Sequence, residues 1–255
     1  MGPDGDRRAT MPAAYDFQPE IDRIREVYAR RDRQGLPPCH RRPAPDRTWA
    51  MQQQEQTLVR GLAHAGLVDF DRLRVLDVGC GLGSLLLTLF RHGFAPENLH
   101  GIDLMEQFVE RARQRLPPQV SLRVGSATQL DYQDGYFDVV TQCGVFSSVF
   151  DRNMAQQMAA EMWRVLARAG AIVWIDMRYR NPWNPDVRGV RLGEVRQLFP
   201  HAICRARTIL LAPPIARRAV PVSVGLAQAL AMLPPLRSHL FAMLIKPARE
   251  RSESQ

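Results

Sequence analysis

Lysine is nearly missing from this chain. Of its 34 basic residues only Lys246 is a lysine, and the others are arginines. A GC-rich coding bias accounts for that skew as readily as any functional demand. Cysteine is scarce as well. Cys39, Cys80, Cys143 and Cys204 stand far apart with no Cys-x-x-Cys pair. This spacing argues against a disulfide framework and a structural zinc site, and a reducing cytoplasm is the expected setting. No uninterrupted apolar run nears the ~20 residues of a membrane-spanning helix. The opening MGPDGDRRAT is polar and lacks the apolar stretch of a secretory leader. What is present is an ordinary globular composition of 255 residues, 45% hydrophobic and 24% charged. A chain of this size buries most of the surface its unfolded form exposes, which excludes collagen-like, low-complexity and disordered classes.

Positive charge is in excess, +8 at pH 7. Such a balance ordinarily points to nucleic acid or an anionic membrane. The excess is local, however: residues 1–60 carry +2, residues 61–178 carry −2 and residues 179–255 carry +8.

Residues 1–16 read as a tail. Ile21, Ile24, Val27 and Tyr28 recur at helical spacing and predict an amphipathic helix over about 18–33. GLPPCHRRPAPD (35–46) is a proline-rich connector, and a second helix over about 47–66 carries Trp49, Leu58 and Leu62. From residue 73 short apolar runs alternate with amphipathic segments. Strands are expected at 73–78, 98–103, 120–125, 136–143 and 171–177, with helices starting near Gly83 and spanning 106–116 and 153–167. A short helix near 190–199 and strands over 203–211 and 239–246 follow, and a proline-punctuated apolar segment, 213–236, lies between those last two. Strands separated by helices predict an α/β, doubly wound, mostly parallel sheet of seven strands. The chain divides into an N-terminal tail and helical extension, 1–68, and one α/β domain, 69–255.

The informative stretch is Val75-Leu76-Asp77-Val78-Gly79-Cys80-Gly81-Leu82-Gly83. A strand runs into three glycines at every second position and then into a helix. Glycine lets a ligand approach the turn backbone, and the helix start offers unpaired N–H groups. The spacing is G-x-G-x-G, not the G-x-G-x-x-G of dinucleotide folds. Asp77 would also repel a pyrophosphate, so a ligand with a cationic part fits better.

These residues resemble the first motif of class I S-adenosylmethionine-dependent methyltransferases. The resemblance implies a Rossmann-like sheet whose last strand is antiparallel, and S-adenosylmethionine as cofactor. It implies that Asp77, Gly79, Cys80, Gly81 and Gly83 hold the methionine portion. Asp103 and Leu104 in GIDL correspond to the second-strand segment, whose acid takes the ribose hydroxyls. Gly125-Ser126-Ala127-Thr128-Gln129-Leu130 resembles the adenine-contacting G-D-A-x-x-L segment, with Ser126 in place of the acid. Phe137-Asp138-Val139-Val140 resembles the strand that ends beside the transfer site, here at Gln142 and Cys143. EMWRVLARAGAIVWID resembles the segment that closes on a P-G-G turn, with Arg168-Ala169-Gly170 in its place.

Subclass marks narrow the reaction. The strand end TQCG lacks the [DN]-P-P-[YF] run of exocyclic-amine enzymes and the paired glutamates of protein-arginine enzymes. Cys143 follows Gln142 and not a proline, and reads as a pocket-lining residue or, less simply, a nucleophile. Gln142 and Asp176-Met177 depart from the metal-dependent catechol pattern, so no metal is expected. The outer segments RIREVYARRD, WIDMRYRNPWNPDVRGV and LAPPIARR resemble a bacterial group associated with surface polysaccharide and O-antigen biosynthesis. That resemblance implies O-methylation of a sugar, with a small-molecule or glycan acceptor and no nucleic acid. Asp176, His201 and His239 are the candidate bases. Cys143, Phe146, Arg178, Tyr179, Asn181 and Trp183 are candidates for the acceptor side. Asp176 alternatively pairs with Arg178, and Asn181 and Trp183 alternatively belong to a rigid surface turn.

Two rival readings stand beside this one: an RNA methyltransferase using the basic last third, and a non-catalytic S-adenosylmethionine-binding protein. Residues 213–236 read as an acceptor lid, as a patch in peripheral contact with the inner face of a membrane or with lipid-linked glycan, or as an ordinary core helix.

Overall fold

The computed structural model describes residues 15–34, 44–180 and 184–248. Helix α1, Gln18–Arg33, has Pro19 in its first turn and Arg30, Arg31 and Arg33 in its last, where cations oppose the negative helix end. Helix α2, Pro45–His64, buries Trp49, Leu58 and Leu62. The sheet then begins with β1, Val75–Val78, buried at every position as expected of a central parallel strand. Next come α3 (Ser84–Arg91), β2 (Leu99–Asp103), α4 (Glu106–Arg113), β3 (Ser121–Val124) and β4 (Phe137–Cys143). Helix α5 (Arg152–Val165) leads into β5 (Leu166–Met177), followed by α6 (Leu192–Leu198) and β6 (Ile203–Leu211). Two short helices, α7 (Pro213–Ala219) and α8 (Val224–Ala231), precede β7 (Arg237–Ile245).

The seven strands run in the order β3-β2-β1-β4-β5-β7-β6. Strand β7 is antiparallel to both its neighbours, and the other pairings are parallel. The expected Rossmann-like sheet with an antiparallel last strand is therefore the fold observed. One face packs Val139, Ile175, Phe241 and Met243 against Leu58 and Leu62 of α2 and Leu86 and Leu89 of α3. The other packs Val140 and Trp174 against Met154, Met158 and Met162 of α5 and Val195 of α6. Trp174, fully buried, lies 4.4 Å from the ring of Phe146 and 6.0 Å from Phe199.

Strand β5 starts five residues before the expected 171. Leu166 already pairs with Phe137, and the register then shifts before Ala171 pairs with Val139. The irregularity is the Arg168-Ala169-Gly170 turn. Ala169 has φ +60°, its N–H donates to Lys246 O at 3.0 Å, and Lys246 N returns a bond to Gly170 O at 2.9 Å. A Cβ on Gly170 would lie 2.7 Å from Asp138 O, so that glycine is required by packing. The single lysine also serves α5: its Nζ donates to Trp163 O at 2.8 Å and Leu166 O at 2.7 Å, covering the carbonyls where the helix ends.

Segment 213–236 does not form a core helix. Trp49, Leu211, Ala216, Ala219, Val220 and Ala227 make a small satellite cluster beneath it, while Ala227 is the one buried residue between 221 and 235. Among the described residues no helix is long and apolar enough to cross a membrane.

The left-handed backbone at Ala169 costs an L-residue about 1 kcal/mol, partly offset by the lower chain entropy of alanine when unfolded. Ala169→Gly is expected to stabilise the fold by up to about 1 kcal/mol in urea unfolding, with an unchanged denaturant slope.

Candidate active site

The glycine turn after β1 is tied to the end of β2. Gly79 N and Cys80 N donate to Ile102 O at 2.8 and 3.1 Å, and Gly83 N closes the turn on Cys80 O at 2.8 Å. All three glycines have positive φ: +69°, +51° and +71° for Gly79, Gly81 and Gly83. Their reasons differ. A Cβ at Gly79 would meet Val145 Cγ2 at 2.4 Å, and one at Gly83 would meet Leu116 Cδ1 at 2.5 Å. A Cβ at Gly81 would meet nothing within 4 Å. Two glycines therefore serve packing, and Gly81 faces open space where a ligand can lie against the backbone.

Two acids flank the turn. Asp103 ends β2. Its Oδ2 accepts from Gly81 N at 2.8 Å and its Oδ1 from Met105 N at 2.9 Å. Burial nevertheless holds its carboxyl above the usual range, against the lowering effect of those backbone bonds. Asp77 sits in β1 beneath the turn and accepts from Thr141 Oγ1 at 2.7 Å. Burial pushes Asp77 up to about 7; the Thr141 bond opposes this, and the nearby charge of Asp103 adds to it.

Between these elements lies a cleft of about 140 Å³. Gly79, Gly81 and Gly144 supply its floor, and Asp103, Leu104 and Met105 one wall. Ala127, Val149, Met154 and Met158 line a largely apolar end, while Ile24, Tyr28 and Phe108 close it from above.

The roof is α1, fastened on both sides. Arg23 Nη2 donates to Ser148 O at 2.6 Å, and the guanidinium lies 4.2 Å from the Phe150 ring centre. Glu20 accepts from Phe150 N and Asp151 N at 2.5 and 3.3 Å. Tyr28 Oη meets Ser148 Oγ at 3.1 Å, and its ring meets Phe108 edge-on. Asp32 pairs with both terminal nitrogens of Arg111 at 2.7 and 3.0 Å, while Arg30 reaches Asp186 at 2.7 Å. The helix spacing of Ile24 and Tyr28 signals a buried stripe, but nothing local says that the stripe covers a cleft. Arg188 likewise has no sequence signal. It donates to Val149 O at 2.7 Å and pairs with Glu194 at 2.6 and 2.8 Å, bracing the loop that walls the site.

The other sequence-expected residues fall into three groups. Leu104, Ala127 and Cys143 line the cleft with Gly79, Gly81 and Asp103. Cys143 Sγ also accepts from Gln54 of α2 at 3.3 Å. A second group is placed close by with side chains engaged elsewhere. Cys80 is buried, its sulfur 2.9 Å from where Gly101 would carry a Cβ. Ser126 Oγ turns to Thr128 at 2.8 Å. Gln142 is buried, donating to Ile175 O at 3.3 Å and accepting from Val145 N at 3.1 Å. Phe146 belongs to the core against Trp174, while its neighbours Ser148 and Val149 line the cleft.

Among the candidate bases, Asp176 is fully buried and accepts from Ser147 N at 3.1 Å and Met177 N at 2.8 Å. Burial raises it to about 6. The expected alternative pairing with Arg178 is not formed: Arg178 donates to Pro234 O at 3.1 Å and stacks on the exposed ring of Tyr179. His239 pairs across the sheet from Met177, at the carboxyl end of β5. Its Nδ1 contacts Ser238 Oγ at 2.9 Å, and burial lowers its pKa to about 4. His201, expected as a candidate base, lies away from the site. Ile203 pairs with Ile245, which pairs with Ala171, so His201 stands beyond the amino-terminal edge of the parallel strands, at the far end of the sheet from the cleft. Asn181 and Trp183 lie outside the described residues.

Residues 75–170 match the family model of a methyltransferase domain. A demethylmenaquinone methyltransferase of Lactobacillus johnsonii is 30% identical over 118 residues, 44% of this chain and 46% of that protein. Norajmaline N-methyltransferase of Rauvolfia serpentina is 33% identical over 130 residues, 49% of this chain and 42% of its own length. The chain thus spans less than half the length of these curated relatives. The crystal structure of a putative sarcosine dimethylglycine methyltransferase from Galdieria sulphuraria superposes with a TM-score of 0.58 at 14% identity, covering 77% of this chain and 86% of that one. Residues 75–170 thus resemble a methyltransferase domain, and the sheet that carries them has the fold of that structural neighbour. The cofactor that this family and fold imply is S-adenosylmethionine.

The residues present fit that cofactor. The Gly81 face is open, Asp103 presents a carboxylate at the cleft wall, and Leu104, Met105, Ala127 and Met158 offer apolar surface suited to a purine.

Asp77 generates a pH dependence. With its folded pKa near 7 and an ordinary value of 3.8, the folded chain holds a proton that the unfolded chain releases between those values. Stability therefore falls as pH rises from about 4 to about 7, and Asp176 acts in the same direction. Asp77→Asn is expected to flatten that slope and to raise the melting temperature at pH 8 by a few degrees, read by calorimetry across the pH range.

Proposed function

We propose that the protein moves the methyl group of S-adenosylmethionine to a small-molecule acceptor, and that this acceptor is a sugar hydroxyl in surface polysaccharide synthesis. The observation that carries the first part is the Asp103 carboxylate, held by Gly81 N and Met105 N beside the open side of the glycine turn. That arrangement suits the vicinal hydroxyls of a ribose and the close approach of an amino acid moiety. When bound, the cofactor supplies an electrophilic methyl group on a cationic sulfur.

The chain's own part is alignment and exclusion of water. Asp103 receives the ribose, and Leu104, Met105 and Ala127 flank the base. Asp77, beneath the turn, offsets positive charge in its deprotonated form, above about pH 7. Ile24 and Tyr28 keep the roof dry. Cys143 and Gly144, at the end of β4, border the acceptor side.

An oxygen acceptor must lose a proton, and His239 is our choice of base over Asp176. Both oxygens of Asp176 already accept backbone N–H groups, whereas His239 is neutral at pH 7 and able to accept a proton at Nε2 when Nδ1 donates to Ser238. By strand register Cys143, Met177 and His239 project from one face of the sheet, the face that α2 covers. The glycan reading is supported by the +8 of residues 179–255, which suits a sugar bearing phosphate or carboxylate. A second reading, an amine or carbon acceptor, is favoured by the cleft itself, where the carboxylate wall is Asp103 and much of the remaining lining is apolar. Of the two curated relatives described above, one is named for demethylmenaquinone and the other for N-methylation of norajmaline.

Isothermal titration with S-adenosylhomocysteine tests the cofactor site. Wild type is expected to bind, and Asp103→Ala to weaken binding by at least about tenfold, the loss of a charged hydrogen-bonding partner. Absence of binding by wild type sinks the reading. Transfer of labelled methyl to nucleotide sugars and lipid-linked glycans, against quinones and amines, decides the acceptor. Label in the amine or quinone fraction alone removes the sugar assignment.

A further inference from the structure

The segment between β6 and β7 presents the wrong side chains to water. Residues 221–235, PVSVGLAQALAMLPP, contain no charged group. Buried apolar packing would be the ordinary fate of such a run, yet Val222 is 76% exposed and Met232 73%, with Val224, Leu226 and Leu233 about half exposed. These residues do not close over the cleft, whose lining includes none of them. Exposed apolar side chains gathered on one feature mark an interaction surface.

The feature is held firmly in this pose. Arg237 donates to three backbone carbonyls: Ala231 O at 2.5 Å, Thr208 O at 3.0 Å and Met232 O at 3.2 Å. Ser223 Oγ caps α8 through Leu226 N at 3.3 Å. Trp49, Leu211, Ala216, Ala219 and Ala227 pack beneath. Its place in the fold follows from register. Leu211 pairs with Arg237, and His239 with Met177, so the hairpin leaves the sheet at the edge where β4 and β5 end beside the site.

Charge identifies the partner. From residue 195 to residue 249 the chain contains no aspartate or glutamate, while Arg217 and Arg218 on α7 are exposed just before the apolar tip. An apolar tip edged by arginines and cleared of acids complements an anionic bilayer: acyl chains below, lipid phosphates beside.

We propose that residues 213–236 form a docking hairpin that inserts Val222, Leu226, Met232 and Leu233 into an anionic lipid surface, with Arg217 and Arg218 at the phosphates. The acceptor side of the site then faces the bilayer, so acceptors dissolved in it or tethered to it are delivered at short range. This surface stands independently of the transfer chemistry, and its test involves no methyl transfer.

Sedimentation with vesicles of phosphatidylglycerol and phosphatidylcholine, against phosphatidylcholine alone, is the measurement. Wild type is expected to pellet with the anionic vesicles at about 0.1 M salt and to release as salt is raised. Arg217→Ala with Arg218→Ala should weaken binding roughly 30-fold, at the free energy typical of two basic residues near such a surface. Val222→Asp with Met232→Asp should abolish pelleting while S-adenosylhomocysteine binding persists. If that variant does not fold, the arginine variant and the salt series decide. Wild type that stays in the supernatant overturns the proposal. So does equal pelleting by wild type and both variants, or a self-association lost in Val222→Asp without any vesicle binding, which would assign the patch to a second copy of the chain.

Discussion

One carbonyl group organises the site. Ile102 O, the next-to-last acceptor of β2, receives both Gly79 N and Cys80 N, and the following residue, Asp103, receives Gly81 N. Three successive positions of the β1–α3 turn are therefore fastened to two successive positions of the neighbouring strand. The turn needs left-handed backbone to present these donors in one direction, which only glycine adopts without strain. The acid that faces the cleft and the turn that floors it are thus parts of a single bonded unit. Displacing either would leave buried polar groups without partners.

Around that unit the remaining walls come from distant sequence, held by apolar packing of Ile24 and its neighbours and by charged contacts at the rim. Helix α1 spans the cleft and is tied to α4 through Asp32 and Arg111, to the segment after β5 through Arg30 and Asp186, and to the β4–α5 loop through Arg23 and Glu20. Each pair is partly exposed and worth little alone. Their value lies in being spread across three elements, so that the roof is positioned from several directions while remaining separable from the sheet.

Legibility in the sequence followed the range of the interactions. The glycine turn, the strand-end acids and the alternation of strands and helices are local patterns with local causes, and they predicted the sheet and its cleft closely. The early start of β5 is not legible because Leu166 and Ala167 read as the end of a helix and Arg168-Ala169-Gly170 as a turn, and the pairing arises where Phe137 and Lys246 come alongside. The remoteness of His201 from the site is not legible locally, because it depends on the direction in which β6 runs, which one residue's surroundings do not carry. Gln142 and Cys80 stand at motif positions, yet the Gln142 side chain is spent on Val145 N and Ile175 O and that of Cys80 is packed in the core. Tyr28 and Arg188 came to the site through long-range folding alone.

The abundance of arginine gains a meaning from where its nitrogens point. Arg23, Arg164, Arg178, Arg188 and Arg237 donate to backbone carbonyl oxygens of Ser148, Leu130, Pro234, Val149 and Ala231. Every residue type possesses a carbonyl. Loops secured in this way are positioned by the clamp as well as by their own side chains, so the path of the chain is expected to survive substitution of many residues they carry. The hairpin before β7 is held so by Arg237, and the loop after β4 by Arg23 and Arg188.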